Sequence, residues 1–577
     1  MRKRVLVRGP GLTQSGYGEH TRFLLRSLRK HENLFDIFFQ NLNWGKTNWL
    51  WQDDEERRWM DHLLGKTHEY QGAFDMTLQV TIPNEFERLS PVDIGVTAGI
   101  ETNKISAAWI EKCNQMNKII TISEHSKKGI TDTSYEATNK ETGQVINDFK
   151  VQVPVDIVHY PAKVHEPKSI DLDLDYDFNF LTVAQWSPRK DIENTVRWFV
   201  EEFHDKEVGL VLKTSLAKNC LYDRRVVNDR LKRLLDSMKR PDRKCKVYLL
   251  HGYMLEEEMS ALYNHEKIKC YVTSTHGEGF GLPLFEAACE GLPIIAPSWS
   301  GHVDFLYAKK KNKKGRRLKN TALFTEVEYT LGPIMKESVW EGVLEKDSMW
   351  CYVDPNSFKS AMRGAINNIK NANKLAKELQ KHVLENFNAD KQYDIFAKSV
   401  LGKEYLEPKN FDGISFCITT DGKKVEKTNK VIDAIKSQMT TKDVEIVISG
   451  VTEPFEDVEG VVLAPAVETA QTGFLAELRN IAARKSTKDV ICYMDDDMLL
   501  PPTWLWRLEE YSSNFGWNIL GNRILNPDGS RFWDRAVMQP HVLVGYGHPC
   551  DDPNLYQTGG FSVHRKEVFE KHQWNGK

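Results

Sequence analysis

HGEGFGLPLFEAACEGLPIIAPSWSGHVDF, residues 276–305, decides how the rest of the chain is read. It begins where the apolar run IKCYVTST (268–275) ends, and it closes on a second apolar run, LPIIAPS (292–298). Between the two lie a glycine-rich turn and a helical stretch, so the segment reads as strand, loop, helix, strand, the unit from which parallel sheets are built. Glu278 sits in the glycine loop, where the backbone amides of Gly279, Phe280 and Gly281 can approach an anionic or hydroxyl-rich ligand without side-chain obstruction. Glu286 follows after seven intervening residues, inside the helix, where a carboxylate can accept hydrogen bonds from the paired hydroxyls of a ribose.

Working outward, FNFLTVAQW (178–186), VGLVLKTS (208–215) and KVYLLHGY (246–253) add three more strands with helices between them. An earlier series starts at Val5–Val7 and passes through GPGLTQSGYG (9–18) into the amphipathic helix EHTRFLLRSLRKH (19–31). It continues with strands at Asp75–Val80, Asp93–Ala98 and Lys118–Thr121. Such alternation predicts two consecutive α/β lobes, residues 1–165 and 166–402, with helices from Ser357 to about Leu401 closing the second. The stretch 403–412 reads as a linker. From Gly413 the pattern restarts with GISFCITT, VEIVISG, GVVLAP and VICYMDDDM, which predicts a further α/β domain over 413–577.

The 577 residues carry a formal net charge of −3, with 41% hydrophobic and 28% charged side chains. That composition suits packed domains and offers no global field for a polyanion, which argues against a nucleic-acid partner. The basic run KKKNKKGRRLK (309–319) is read as a solvated loop, with docking to an anionic acceptor or membrane headgroup as the other option. Nine scattered cysteines without a CxxC pair argue against a disulfide framework or zinc site. No window approaches the roughly 18 apolar residues of a membrane span, and the N-terminus lacks a signal-peptide core. These features predict a cytoplasmic chain, with peripheral membrane attachment left open.

The paired glutamates around the GFG loop resemble those of family 4 retaining glycosyltransferases of the GT-B fold. The likeness covers roughly residues 1–400 and is strongest over 181–306. It implies two Rossmann-like lobes and no cofactor, with a nucleotide-sugar donor held by the second lobe and the acceptor by the first. It also implies that Glu278 contacts the donor sugar and Glu286 the ribose. At VAQWSPRKD (183–191) the family places a glycine-arginine pair and, five residues on, a lysine. Lys190 matches the lysine, whereas Ala184 and Gln185 replace the pair, so Arg189 or Lys213 is expected to supply the missing cation for the leaving diphosphate. Gly16 and Gly18 would approach the donor phosphates across the cleft. In GIETNKISAAWIEKCNQMNKIITISEHSKKG (99–129), Glu101, Thr102, Ser123, Glu124 and His125 are candidates for acceptor contacts.

Asp495, Asp496 and Asp497 end the apolar run VICYMDDDM, and three adjacent carboxylates repel one another unless a cation neutralises them. With FCITTDGK, VEIVISG and RNIAAR, this DXD-type motif resembles the family 2 inverting glycosyltransferases of the GT-A fold. The resemblance implies that Asp495 touches the nucleoside and that Asp497 binds Mg²⁺ or Mn²⁺ bridging the diphosphate. QTGGFSVHRKEVF (557–569) resembles that family's acceptor side. The acidic pair that would supply the base does not appear before HQWNGK, so the second domain is expected to be truncated.

These features together predict a glycosyltransferase of polysaccharide biosynthesis that moves a sugar from a nucleotide-sugar donor to a glycan or lipid-linked saccharide. A non-catalytic nucleotide-sugar or glycan-binding scaffold is the alternative. A nicotinamide-dependent oxidoreductase is disfavoured, because no complete GxGxxG with an acidic ribose partner is present.

Overall fold

A computed structural model describes residues 2–45, 47–138, 145–311, 318–402, 405–537, 542–543 and 555–575. They form two compact units, Arg2–Val400 and Leu401–Lys577.

The first unit contains two six-stranded sheets in which every neighbouring pair is parallel. In space the first sheet runs Phe35–Asn41, Lys3–Gly9, Met76–Val80, Val92–Thr97, Lys118–Thr121, Val155–Ile157. The second runs Lys246–Leu250, Gly209–Ser215, Asn179–Gln185, Ile268–Val272, Ile294–Pro297, Thr325–Val327. Strands covered by helices on both faces must be apolar along their whole length, which is why LVL and PIIAP read as continuous runs rather than as alternations. In the second lobe Phe180, Leu210, Leu212, Val272 and Ile295 pack with Val196, Phe199 and Phe203 of the helix Ile192–Phe203. These are the two Rossmann-like lobes that the GT-B resemblance implies.

In both sheets the order reverses beside the first strand, and parallel α/β sheets bind ligands at the C-terminal ends of such strands. The turn after Lys3–Gly9 and the turn after Asn179–Gln185 therefore lead into the region of interest, together with the glycine loop after Ile268–Val272.

Helices Pro355–Asn367, Ile369–Asn386 and Ala389–Leu401 close the unit. All three fall within residues 166–402, and the last of them packs on the first lobe. Phe396 lies edge-on to Phe23, with ring centroids 5.9 Å apart. His31 Nε2 pairs with Asp394 Oδ1 at 3.0 Å, and Lys118 Nζ donates to the Ser399 carbonyl at 2.8 Å. The physical reason is its apolar face: Phe396, Ala397 and Val400 are buried, and the first lobe supplies the surface that covers them.

The flanks of the basic run form an antiparallel hairpin, Tyr307–Lys311 with Leu318–Ala322, so the run starts and ends in strands; its middle, 312–317, lies outside the described residues. All eight cysteines among the described residues are free, and seven of them are buried. No helix among those residues is long and apolar enough to cross a membrane.

The second unit is a mixed sheet ordered Val461–Pro465, Asp443–Gly450, Gly413–Thr420, Val490–Asp495, Phe561–Arg565, Ile519–Gly521. Its first four strands are parallel, and the last two join antiparallel. The aspartate triplet thus lies at the C-terminal end of a central strand.

Candidate active site

The glycine loop is shaped by the close approach of another chain segment and by one turn that needs a positive φ. A Cβ on Gly277 would lie 2.2 Å from the carbonyl oxygen of Glu101 in the first lobe, so a larger residue there would push the loops apart. Gly281 has φ +91°, a conformation open to glycine, and it caps the helix Leu282–Cys289. Among the described residues, the amides of Gly279, Phe280 and Gly281 have no protein acceptor, so three donors stand free at a helix N-terminus, where negative charge is favoured. Phe280 itself is buried against Phe285, Phe305 and Tyr160, with centroids 5.0, 5.1 and 5.2 Å away, and anchors the loop rather than facing solvent.

Glu278 is the centre of the cluster. Lys190 Nζ lies 2.6 Å from each of its carboxylate oxygens. Arg189 Nη1 donates to Glu278 Oε2 at 3.2 Å and to the Gly277 carbonyl at 2.5 Å. The Thr275 hydroxyl donates to Glu278 Oε1 at 2.9 Å, and the Glu278 amide donates to Ser300 Oγ at 2.8 Å. The side chains of Lys190 and Glu278 are only 13% and 7% exposed, so this is a buried ion pair. Burial pushes the carboxyl up, but Lys190 and Arg189 outweigh it and hold Glu278 at about 2. Burial acts on Lys190 as well and lowers its ammonium despite the attraction of Glu278.

Both cations reach this point because Pro188–Lys190 forms a single turn of 3₁₀ helix and the next residue, Asp191, is left-handed at φ 49°. A non-glycine residue there is strained by about 1 kcal/mol or more. Ser274 Oγ and Asn194 Nδ2, which donate to its carboxylate at 3.1 and 2.8 Å, hold it in place.

Of the two cations expected beside Lys190, Arg189 is the one that reaches Glu278. Gln185 donates its amide to the Leu216 carbonyl, and Lys213 donates to the Gly252 carbonyl, so neither touches Glu278. Burial lowers Lys213 to about 8. Glu286 is also separate from the cluster. Tyr263 Oη donates to its Oε2 at 2.8 Å, and the surrounding protein raises it to about 7, a push that solvent at this exposed side chain moderates.

From the first lobe, Glu101 joins the cluster directly: Arg189 Nη2 lies 3.2 Å from its Oε1, so one guanidinium is shared by a carboxylate from each lobe. Ser123 accepts the Ser126 amide as a helix cap and donates to the Gly279 carbonyl at 2.7 Å. Thr102 is spent on the Lys104 carbonyl, and the Glu124 side chain is exposed. His125 lies edge-on to Trp299 at 5.0 Å, with Nε2 unpartnered among the described residues, and burial lowers it to about 4. Gly16 opens the helix Gly16–Lys30 with no heavy atom within 4 Å of a built Cβ, whereas Gly18 is pressed against the Thr13 carbonyl. Thr275, Ser300 and Tyr263 also bond to the two glutamates of the motif. The polar run after strand Ile268–Val272 signals the first, but nothing near Ser300 or Tyr263 marks either as a partner of a glutamate.

In the other unit Arg479, Thr420 and Lys424 divide the three aspartates among them, with Lys424 Nζ also 3.7 Å from Asp496 Oδ1. Asp495 pairs with Arg479 at 3.2 Å, Asp496 accepts from Thr420 Oγ1 at 2.8 Å, and Asp497 pairs with Lys424 at 2.8 Å. Burial raises Asp496. The glycine pair of QTGG lies against them, since the Asp495 amide donates to the Gly560 carbonyl at 2.9 Å. Among the described residues no group of three or more His, Cys, Asp or Glu side chains converges on one point, so these residues close no metal cage by themselves. A divalent ion held by one carboxylate, with diphosphate and water completing its shell, needs no such cage. Asp497, exposed and reached by the likewise exposed Lys424, suits that arrangement.

No family model matches the chain, and no curated protein matches it. Several solved structures do. Sucrose-phosphate synthase from Thermosynechococcus elongatus is 13% identical with a TM-score of 0.44, over 69% of this chain and 98% of that one. Anabaena HepE in complex with UDP and glucose is 11% identical with a TM-score of 0.42, over 69% and 99%. A glycosyltransferase from Rickettsia africae is 11% identical with a TM-score of 0.41, over 70% and 99%.

Proposed function

We propose that the unit Arg2–Val400 is a retaining glycosyltransferase, similar to family 4, that transfers a sugar from a nucleoside diphosphate to a glycan or lipid-linked saccharide. The observation behind this reading is the convergence of Lys190 and Arg189 on Glu278 beside three free amides. An incoming diphosphate meets two fixed cations and a helix N-terminus, and this set stabilises the charge that grows on the phosphate as the anomeric C–O bond breaks. The acceptor oxygen then bonds to the anomeric carbon on the same face, and its proton passes to the departing phosphate oxygen. Glu286 is assigned to the ribose, Glu278 to the donor sugar, and Glu101 and His125 to the acceptor. The chain's own part in this is positioning, which shortens the approach of two bound reactants.

We assign to residues 413–577 a second transferase site of the GT-A kind. There Asp495 would contact the nucleoside, and Asp497, on release of Lys424, would hold Mg²⁺ or Mn²⁺. When bound, the ion would neutralise the donor diphosphate.

Thermal stabilisation of the full chain by a panel of nucleotide sugars, UDP-glucose among them, with and without Mn²⁺, tests both halves, because a ligand that binds only the folded state raises its stability. Donor hydrolysis that disappears in Glu278→Ala and Lys190→Ala supports catalysis. Stabilisation without hydrolysis or transfer would instead make the chain a binding scaffold, and no stabilisation by any nucleotide sugar overturns the assignment.

A further inference from the structure

The segment NWGKTNWLWQ (43–52) carries three tryptophans that the donor site does not use. Trp49 and Trp51 are 49% and 69% exposed, a large apolar area to leave in water. They are two residues apart, and Trp49 forms an isolated antiparallel bridge with Thr13. The stretch is tied to the glycine-rich turn of the first lobe: Gln14 N donates to the Asn48 carbonyl and Leu50 N to the Leu12 carbonyl, each at 2.8 Å. Trp44 packs on Tyr17, beside the open Gly16, at 4.5 Å between centroids. The second lobe meets the same stretch. Trp51 lies edge-on to Tyr253 at 6.1 Å, Gln52 Nε2 donates to Tyr253 Oη at 2.7 Å, and Lys218 Nζ donates to the Thr47 carbonyl at 2.6 Å. Tyr253 follows Gly252, whose carbonyl holds Lys213.

We propose that Trp49 and Trp51, with Tyr253 and the amides of Gln14 and Gln52, form a saccharide subsite at the rim of the crevice. Its occupant is the acceptor glycan of the reaction proposed above, and that identity rests on the glycosyltransferase reading. Three features select an uncharged polyol. The exposed rings offer flat π faces to the C–H groups of a pyranose, and the flanking amides can bond to its hydroxyls. Gln14 Nε2 is buried without a partner among the described residues, although its Oε1 accepts from Asn219 Nδ2 at 3.0 Å, which leaves an unsatisfied donor beneath the junction. Charges nearby among the described residues are paired: Arg58 with Asp53 at 2.9 Å and Arg57 with Asp61 at 3.0 Å, while Asp54 accepts the Arg57 amide at 2.8 Å.

The test is tryptophan fluorescence titration of the full chain with maltotetraose, chitotetraose and mannotetraose, with nucleotide-sugar stabilisation measured in parallel. At least one tetrasaccharide is expected to bind. Its affinity should fall about tenfold in Trp51→Ala and further in Trp49→Ala/Trp51→Ala, recover in part in Trp51→Phe, and stay unchanged in Trp506→Ala, which removes an exposed tryptophan of the other unit. Absence of binding by all three sugars overturns the subsite, as does binding indifferent to Trp49 and Trp51, or a concentration-dependent dimer dispersed by Trp51→Ala. Loss of nucleotide-sugar binding with tetrasaccharide binding intact would remove the transferase reading and leave the subsite standing.

Discussion

The two candidate sites handle charge in opposite ways. At Glu278 one buried carboxylate is gripped by two cations, Lys190 and Arg189, and the second of these is shared with Glu101. At Asp495–Asp497 three carboxylates are spread over Arg479, Thr420 and Lys424, and the Lys424 ammonium reaches Asp497 from a half-exposed side chain. A diphosphate can be received by cations built into the chain or by a cation recruited from solvent. Burial decides between them: a preformed ion pair persists where water is excluded, while an exposed aspartate can exchange its partner.

Four experiments break or sharpen this contrast, in decreasing order of expected effect. Lys190→Ala should lower donor turnover by about 10²–10³, the scale for loss of one transition-state charge contact. It should also destabilise the fold by about 3 kcal/mol, because it strips a buried carboxylate of its main partner. Turnover assays and urea unfolding read the two effects. An unchanged rate would show that the built-in cations do not serve the donor.

The second experiment is acid titration. Glu278 is held at about 2, below its ordinary value of 4.5, so its contribution is fully present above about pH 4.5 and is lost as pH falls toward 2. The linkage corresponds to about 3 kcal/mol at most. Unfolding free energy measured from pH 5 to pH 2 should therefore fall more steeply in the wild type than in Glu278→Gln, and parallel curves would deny the ion pair its role. Third, Asp497→Asn should reduce Mn²⁺-dependent stabilisation by a nucleotide sugar about tenfold in apparent affinity and spare the Mn²⁺-independent part. Equal loss of both would erase the distinction between the sites. Smallest of all, Gln185→Arg adds a cation near a site that already has two, and a gain in donor affinity of about two- to threefold by calorimetry is expected, since an exposed charge adds little.

Much of the framework is legible in the residues. GISFCITT forms the strand Gly413–Thr420 with the bounds expected of it, and Lys118–Thr121 does the same, because apolar runs bounded by polar turns leave little choice. Phe35–Asn41 escapes notice because FDIFFQN follows a helix without a glycine or proline to announce it, and Val155–Ile157 and Thr325–Val327 are three-residue strands with no pattern to read. The roles of Glu278 and Lys190 can be nominated from local motif, but their contact joins positions 88 residues apart and exists only once the sheet brings two turns together. The choice of Arg189 over Lys213 is likewise a matter of the Asp191 turn, since sequence spacing says nothing about a left-handed residue that is not glycine.

The helix Ala389–Leu401 sets an order on the birth of the molecule. The first lobe has all of its strands by Ile157, yet the surface around Phe23 and His31 is covered only when a segment more than 200 residues later arrives. At the roughly 5–20 residues per second of synthesis, the nascent lobe waits on the order of 10 to 50 s with that apolar patch open. Chaperone engagement during translation should therefore concentrate on the patch, and it should end when Phe396 clears the ribosome.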